Sequence, residues 1–306
     1  MAELQFDRDF TPHYGEAIAL GDNVRRVTCN NPSPFTFHGT NSYIVGRGTV
    51  AVIDPGPADP DHIDALLRAT SGETISHILI THTHADHSPG ARLLKARCGA
   101  PILAEGPHRP TRALHAQEIN ALDAEGDVEL DIDRVLRDGD LIEGDSWALE
   151  VVHTPGHTVN HLAFAFADGS GLFCGDHVMA WSTSIVAPPD GSMAAYMASL
   201  NRLMLRNDRV YWPGHGGTIS DPQPFLAGLK THRERREQAL VAHLEAGQET
   251  IDAMVASIYR DVDPSLHGAA ALSMFAQMEY LVARGLVRCL DAEPTLDARY
   301  RLIDRF

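Results

Sequence analysis

Residues 81–87 read THTHADH and place three histidines and one aspartate within one short stretch of the chain. The stretch follows an apolar run, HILIT at residues 77–81, which predicts a buried strand. Ser88 and Pro89 then predict the cap and first residue of a helix that continues through 91–99. A loop between a strand and a helix can direct several side chains to one point, and imidazole with carboxylate suits zinc. The stretch therefore predicts a metal site.

Three later segments also place a ligand-type residue just past a predicted strand, namely His157 in HTPGHT, Asp176 in CGDH and His215 in WPGHGG. Glycine or proline beside each residue lets the backbone turn tightly and approach an ion closely. The complete set of candidate ligands is His82, His84, Asp86, His87, His157, Asp176 and His215. Because these donors are too many for one tetrahedral zinc, they favour two ions bridged by a carboxylate and a water-derived oxygen.

The first three quarters of the sequence alternate short β-favouring runs with helical stretches, which predicts an α/β or layered fold. The helical spacing of Ile63, Leu66 and Leu67 predicts a helix within 59–70. Strands are predicted at 41–46, 49–54, 77–81, 101–105, 148–153, 161–166, 171–176 and 209–214.

After Asp221 and Pro222 the pattern becomes helix-rich. Helices are predicted within 232–248, 249–259 and 268–285, and short strands at 286–290 and 299–303. Three helices and a hairpin suggest a small winged-helix unit. We therefore divide the chain into a catalytic domain, residues 1–225, and a winged-helix-like domain, residues 226–306.

The 306-residue chain is acidic, with 25 Lys and Arg against 41 Asp and Glu and a net charge of −16. Residues 226–306 hold 10 basic and 12 acidic residues, which leaves −14 on residues 1–225. Because duplex nucleic acid and anionic membranes attract clustered Lys and Arg, the charge argues against both partners. In HRERREQ, residues 232–238, glutamates interleave with the basic residues and predict a solvated helix face.

The four cysteines form no C-x-x-C pair, so neither a cysteine-type zinc site nor a disulfide framework is indicated. The opening MAELQFDRDF is unlike a secretory signal, and no apolar run approaches the roughly 18 residues of a membrane span. We therefore expect a cytoplasmic protein with no membrane partner.

The order of the motifs resembles the metallo-β-lactamase superfamily, in which an early Asp precedes H-x-H-x-D-H, a His, an Asp and a last His. The early Asp corresponds to Asp54 in VIDPG. The resemblance implies an αββα sandwich with metals at one edge of two facing sheets. It also implies two metal sites bridged by Asp176, one built from His82, His84 and His157 and the other from Asp86, His87 and His215.

The resemblance further implies that Asp54 orients a ligand imidazole through its ring N–H. The candidate catalytic residues are Asp86, Asp54 and His177, with His177 as a proton donor to the leaving group. The alternatives are a turn-forming Asp54 and a structural His177. The expected cofactors are two Zn2+ per chain, with Fe or Mn as alternatives. His38 and Asn41 are expected at the pocket mouth.

A narrower resemblance comes from PSPFTFHGTNSYIVG at 32–46, HRERREQAL at 232–240 and the winged-helix tail. Together they resemble the subfamily of human β-lactamase-like protein 2, which contains a single-strand endoribonuclease and acyl-carrier-protein thioesterases. Common zinc β-lactamases use a Cys where this sequence has Asp176. True β-lactamase activity is therefore not expected, and Cys174 is assigned to the core.

The predicted function is a dinuclear zinc hydrolase in which a metal-bridging hydroxide attacks a small ester or thioester. One alternative is an endoribonuclease or phosphodiesterase that cleaves short single-stranded RNA, and another is a mononuclear-iron sulfur oxygenase. A non-catalytic binding module is a third reading, favoured only by the winged helix. The C-terminal domain is expected to pack, to shape the substrate site or to form a homodimer.

Overall fold

The computed structural model describes residues 4–115, 118, 126–260 and 267–303. Its larger sheet has seven strands that are neighbours in chain order, and β1 to β4 pair antiparallel whereas β4 to β7 pair parallel. These strands are β1 (Ala17–Gly21), β2 (Val24–Thr28), β3 (Asn41–Val45), β4 (Thr49–Ile53), β5 (Thr74–Leu79), β6 (Ile102–Ala104) and β7 (Arg134–Val135).

A second sheet has five strands in the order β12-β11-β10-β9-β8. They are β8 (Leu141–Glu143), β9 (Ala148–His153), β10 (Leu162–Phe166), β11 (Leu172–Gly175) and β12 (Tyr211–Pro213). Only β11 and β12 pair parallel in this sheet. Apolar side chains from both sheets, including Tyr43, Ile53, Phe164, Phe173 and Trp212, form one buried core between them.

Helices cover the outer face of each sheet. α1 (Pro60–Ala69) and α2 (Gly90–Cys98) bury Ile63 and Leu94 against the larger sheet. α3 (Met193–Leu203) and the start of α4 (Pro222–Glu245) bury Leu200 and Leu226 against the smaller one. The predicted αββα sandwich is therefore confirmed.

The remaining elements form the predicted winged helix. They are α5 (Ile251–Ile258), α6 (His267–Ala283), β13 (Val287–Cys289) and β14 (Tyr300–Leu302). Met254, Phe275 and Tyr300 share a core with the end of α4. Because α4 packs on the sandwich at its start and on the winged helix at its end, the proposed division at residue 225 falls inside this helix. In the described part of the chain, every helix is too short or too polar to cross a bilayer.

All eight strands predicted for the sandwich are present, but β1, β2, β7 and β8 were not predicted. β2 reads VRRVT, and its two arginines conceal the strand pattern. In the structure Arg25 is buried. Its guanidinium donates to the carbonyl of Ala69 and to the Glu73 carboxylate at 2.8 and 2.7 Å, which compensates for the lost contact with water. The folded chain thus satisfies a charge that the sequence places in a buried strand.

Two local predictions are wrong. Ser88 does not cap α2, since the cap position is Pro89 and the Ser88 hydroxyl donates to Asp127 Oδ2 at 2.8 Å. The HRERREQ segment is not wholly solvated, since Arg233 is 5% exposed and lies 4.8 Å above the Tyr196 ring. Its guanidinium also donates to a loop carbonyl, so tertiary contacts replace its water.

Candidate metal centre

The predicted ligands lie where strands of both sheets end. Residues 82–87 connect β5 to α2, and His157 lies in the turn between β9 and β10. Asp176 directly follows β11, and His215 follows β12. In the smaller sheet β9, β11 and β12 run in the same direction, so the loops after them meet at one edge of the sandwich. One edge therefore receives ligands from both sheets.

Three imidazole nitrogens form a first cluster, which we call the first trio. His84 Nδ1 lies 3.0 Å from His82 Nε2 and 3.0 Å from His157 Nε2. His157 donates from Nδ1 to the Ile185 carbonyl at 2.6 Å, which leaves its Nε2 as the lone-pair nitrogen. Thr81 Oγ1 lies 3.0 Å from the other nitrogen of His82. The trio is thus oriented by neighbouring polar groups.

Asp86, His87 and His215 form the second trio. His87 Nε2 lies 3.3 Å from His215 Nε2 and 3.3 Å from Asp86 Oδ2, and the last two groups are 3.2 Å apart. His215 donates from Nδ1 to the Gly39 carbonyl at 3.2 Å, and Thr40 Oγ1 donates to Asp86 Oδ2 at 3.2 Å. The loop before β3 therefore supports this trio from the larger sheet.

Asp176 lies between the two trios. Its Oδ2 is 3.2 Å from His215 Nε2 and 3.8 Å from His157 Nε2, and its Oδ1 is 3.5 Å from His87 Nε2. This approach requires glycine at position 214, because a Cβ on Gly214 would lie 2.4 Å from Asp176 Oδ1. One carboxylate thus contacts imidazoles from both trios.

Asp54 contacts the second trio through a hydrogen bond to His87. Its Oδ2 accepts from His87 Nδ1 at 2.9 Å and from Thr81 Oγ1 at 2.6 Å, while its Oδ1 accepts from Thr81 N at 2.7 Å. Asp54, His82 and His87 also lie close enough to form a ligand group. Because protein donors occupy both Asp54 oxygens, however, the carboxylate is placed to orient the His87 ring and not to bind an ion itself.

Burial favours the neutral form of all three imidazoles in the first trio. Burial, followed by the neighbouring His157, lowers the pKa of His84 to about 3. Burial also lowers the pKa of His82 well below its usual range. Neutral imidazoles are the form that binds transition metals, so these rings need lose no proton to accept an ion.

The second trio has paired charges. Burial opposes the charged form of His215, but Asp176 and Asp86 outweigh it and raise the pKa of His215 to about 9. Burial likewise opposes ionisation of Asp176, yet His215 and His87 hold its pKa well below the usual range. An ion bound here would replace protons on imidazoles beside ionised carboxylates. Imidazole and carboxylate donors at these separations fit divalent zinc, iron or manganese.

Several other predicted residues lie elsewhere. His177 is fully buried, its ring lies 4.5 Å from the Tyr196 ring, and burial lowers its pKa to about 3. The proton-donor role of His177 stays a prediction, which this enclosed position does not favour. Asn41 is also fully buried, and its Nδ2 donates to the carbonyls of Pro213 and Gly216 at 3.1 and 2.9 Å. Asn41 therefore supports the His215 loop and does not line the pocket mouth.

Cys174 is a β11 residue that is buried in the core between the smaller sheet and its helices, which confirms its assignment to the core. Trp181 packs beside the His215 loop, since a Cβ on Gly216 would lie 2.9 Å from its ring. Sequence reasoning missed Thr40, Thr81 and His161, whose Nε2 accepts from Asp176 N. Threonine and histidine occur throughout the sequence, so only the hydrogen bonds of the folded protein identify these three residues as part of the site.

Comparison with known proteins agrees with this architecture. A sequence profile described as the Metallo-beta-lactamase superfamily matches residues 35–215, and one described as a Beta-lactamase associated winged helix domain matches residues 250–293. A metallo-beta-lactamase family protein from Thermus thermophilus superposes with a TM-score of 0.75 at 23% identity, over 93% of this chain and 100% of that one. The solved structure shows the shared fold.

Two relatives are 30% identical to this chain. The Beta-lactamase-like protein 2 homolog of Drosophila melanogaster aligns over 277 residues, 88% of this chain and 91% of that protein. An Atrochrysone carboxyl ACP thioesterase of Cryptosporiopsis sp. (strain 8999) aligns over 237 residues, 76% of this chain and 66% of that protein. The chain therefore belongs to the metallo-β-lactamase superfamily, with the β-lactamase-associated winged helix following its sandwich domain.

Proposed function

We propose that this metallo-β-lactamase-fold hydrolase is a dinuclear zinc enzyme that cleaves small esters or thioesters. The observation that carries the proposal is the position of Asp176, with Oδ2 3.2 Å from His215 and 3.8 Å from His157. A carboxylate between two trios suits a pair of ions better than one. A single-ion oxygenase would leave the second trio without a role.

His82, His84 and His157 would hold one ion and Asp86, His87 and His215 the other, with Asp176 shared. Bound zinc would supply hydroxide near neutral pH and polarise the attacked carbonyl. The protein residues orient the ligands: Asp54 fixes the His87 ring, and the Ile185 carbonyl fixes His157. Among the ligands, the Asp86 side chain is 25% exposed, so the substrate would approach from its side.

Two observations support the proposed substrate class: the net charge of residues 1–225 and the name of one relative. The charge of −14 on residues 1–225 opposes a long polyanion such as RNA, whereas an acyl ester or thioester carries no such penalty at the cleaved bond. The relative from Cryptosporiopsis is named an acyl-carrier-protein thioesterase. Both observations favour acyl transfer to water over phosphodiester cleavage.

The test offers a panel of thioesters, lactones, phosphodiesters and short single-stranded RNA to zinc-loaded protein. We expect thioesters or esters to be cleaved, with about two zinc ions bound per chain. His84→Ala serves as the control and should lower kcat/KM at least about 100-fold, because it removes a ligand outright.

Three results would contradict the proposal. Cleavage of RNA without ester cleavage would move the substrate class to phosphodiesters. One iron per chain with oxygen uptake on a persulfide would indicate the oxygenase. A folded His84→Ala protein with full activity and metal content would remove the proposed site altogether.

A further inference from the structure

A buried serine and histidine form a hydrogen-bond chain behind the second trio. Ser42 lies in β3 and His62 in the first turn of α1, and both side chains are buried. Ser42 Oγ is 2.5 Å from the Asp54 carbonyl oxygen and 2.7 Å from His62 Nε2. Ser42 thus connects His62 to the Asp54 backbone.

The geometry assigns the hydrogens in this chain. A carbonyl oxygen can only accept, so Ser42 donates its single hydroxyl hydrogen to Asp54. His62 Nε2 must then donate to Ser42 Oγ. Burial lowers the pKa of His62 to about 4, so its ring is neutral at pH 7 with its one hydrogen on Nε2.

Asp54 needs such support because its backbone is strained. Its φ is 48°, in the left-handed region, which residues other than glycine adopt rarely. From this conformation its carboxylate accepts from Thr81 and from His87 Nδ1. A relaxed Asp54 would turn its carboxylate away from the His87 ring.

His62 also contacts the turn that follows Asp54. A Cβ on Gly56 would lie 3.0 Å from His62 Cδ2, so the ring packs directly on that residue. Gly56 N in turn donates to the His87 carbonyl at 3.0 Å. The imidazole of His62 therefore contacts the turn whose N–H holds the His87 backbone and, through Ser42, the carbonyl of Asp54.

We infer that Ser42 and His62 are positioning residues for the second metal, acting through Asp54 on His87. This inference rests on the proposed dinuclear function. It concerns metal affinity mainly at the second trio, because Asp54 bonds His87 directly and reaches His82 of the first trio through Thr81 Oγ1.

The experiment titrates metal-free proteins with Zn2+ against a competing chelator. His215→Ala identifies which binding step belongs to the second trio, since it deletes a ligand of that trio alone. We expect Ser42→Ala and His62→Leu to weaken that step about 10–100-fold and to leave the other step within about threefold. His62→Gln, which keeps a donor near the ring position, should recover most of the affinity.

Ser76→Ala is a matched control. Ser76 Oγ donates to the Val50 carbonyl of β4 at 3.1 Å and lies 2.9 Å from His77 Nδ1, so it repeats the arrangement of Ser42 at the other end of the strand. Its deletion should leave both binding steps unchanged. Equal melting temperatures of the metal-free Ser42→Ala and Ser76→Ala proteins would show that Ser42→Ala loses zinc affinity through positioning and not through loss of folding.

A measurement on the wild-type protein needs no variant. Nitrogen-15 NMR of labelled histidines should show His62 with its hydrogen on Nε2 at pH 7. Hydrogen on Nδ1, or wild-type zinc affinity in both Ser42→Ala and His62→Leu, would overturn the inference while leaving the proposed function intact. Binding of a single ion by wild type would instead overturn the dinuclear proposal, and with it the inference.

Discussion

His84 Nδ1 and His157 Nε2 lie 3.0 Å apart although 73 positions separate them in the chain. His84 belongs to the loop after β5 of the larger sheet, and His157 to the turn after β9 of the smaller one. A metal held by both residues would therefore join the two sheets of the sandwich.

We expect metal loading to stabilise the protein for this reason. Zinc at about 100 times its dissociation constant should add about 2.7 kcal/mol to the free energy of unfolding, since the unfolded chain lacks the site. Thermal unfolding with zinc and after chelation measures the shift. His84→Ala should show a smaller shift, and an unchanged melting temperature of wild type on zinc addition would contradict the expectation.

The metal-free protein should lose stability as the pH rises from about 7.5 to about 9. Asp176 and Asp86 overcome burial and raise the pKa of His215 to about 9, above the unfolded value of about 6.5. The stabilisation from this protonated ring is complete below about pH 6.5 and is lost as the pH passes through about 9. The buried rings with lowered pKa, such as His84, are half protonated in the unfolded chain near pH 6.5 and are neutral in both states only above about pH 7.5, so the His215 effect is isolated above that pH.

Thermal unfolding of chelator-treated protein at about pH 7.5, 8.0, 8.5 and 9.0 tests this slope. His215→Gln should flatten it, and so should zinc, which replaces the proton on the ring. A metal-free wild type that gains stability over the same pH range would show that His215 is neutral there.

Cys174→Ala should leave zinc content and kcat/KM within about threefold of wild type and cost about 1 kcal/mol of stability. The Cys174 thiol is fully buried and donates to the Val178 carbonyl at 3.1 Å, so it packs and does not face the trios. Zinc analysis and steady-state kinetics measure the outcome. Asp176→Ala, two residues away, is the comparison that should lose both metal and activity.

Arg233→Gln should destabilise the protein by about 2 kcal/mol, because it removes a charged donor from a buried carbonyl. The Arg233 guanidinium donates to the Ser184 carbonyl and lies over the Tyr196 ring. The next carbonyl, of Ile185, accepts from His157 Nδ1, so zinc affinity at the first trio should also fall. Denaturant unfolding and zinc titration report the two effects.

Arg235→Gln is the matched control, since Arg235 is an exposed residue of the same helix. It should change neither stability nor zinc affinity. Equal effects of the two substitutions would show that net charge, and not the contact with the loop, matters.

The strands of the sandwich and the seven candidate ligand positions could be predicted from the sequence because their signals are local. Apolar runs predict strands, and H-x-H-x-D-H places four donors on one loop whatever surrounds it. β2 escaped prediction because Arg25 and Arg26 interrupt its apolar pattern, and only the folded chain shows the partners that bury them.

The sequence by itself determined the candidate donor residues and the family resemblance, since both depend on residue types in a fixed order along the chain. Only the tertiary structure decided how those donors are held. Three of the supporting residues come from different elements: Asp54 follows β4, Ser42 lies in β3 and His62 lies in α1. Their spacing in the sequence does not predict that they contact each other. Their roles follow from hydrogen bonds of 2.5–2.9 Å between segments that are distant in the chain. Such contacts require the sheets and helix to pack first, so their geometry is a property of the fold and not of any one segment.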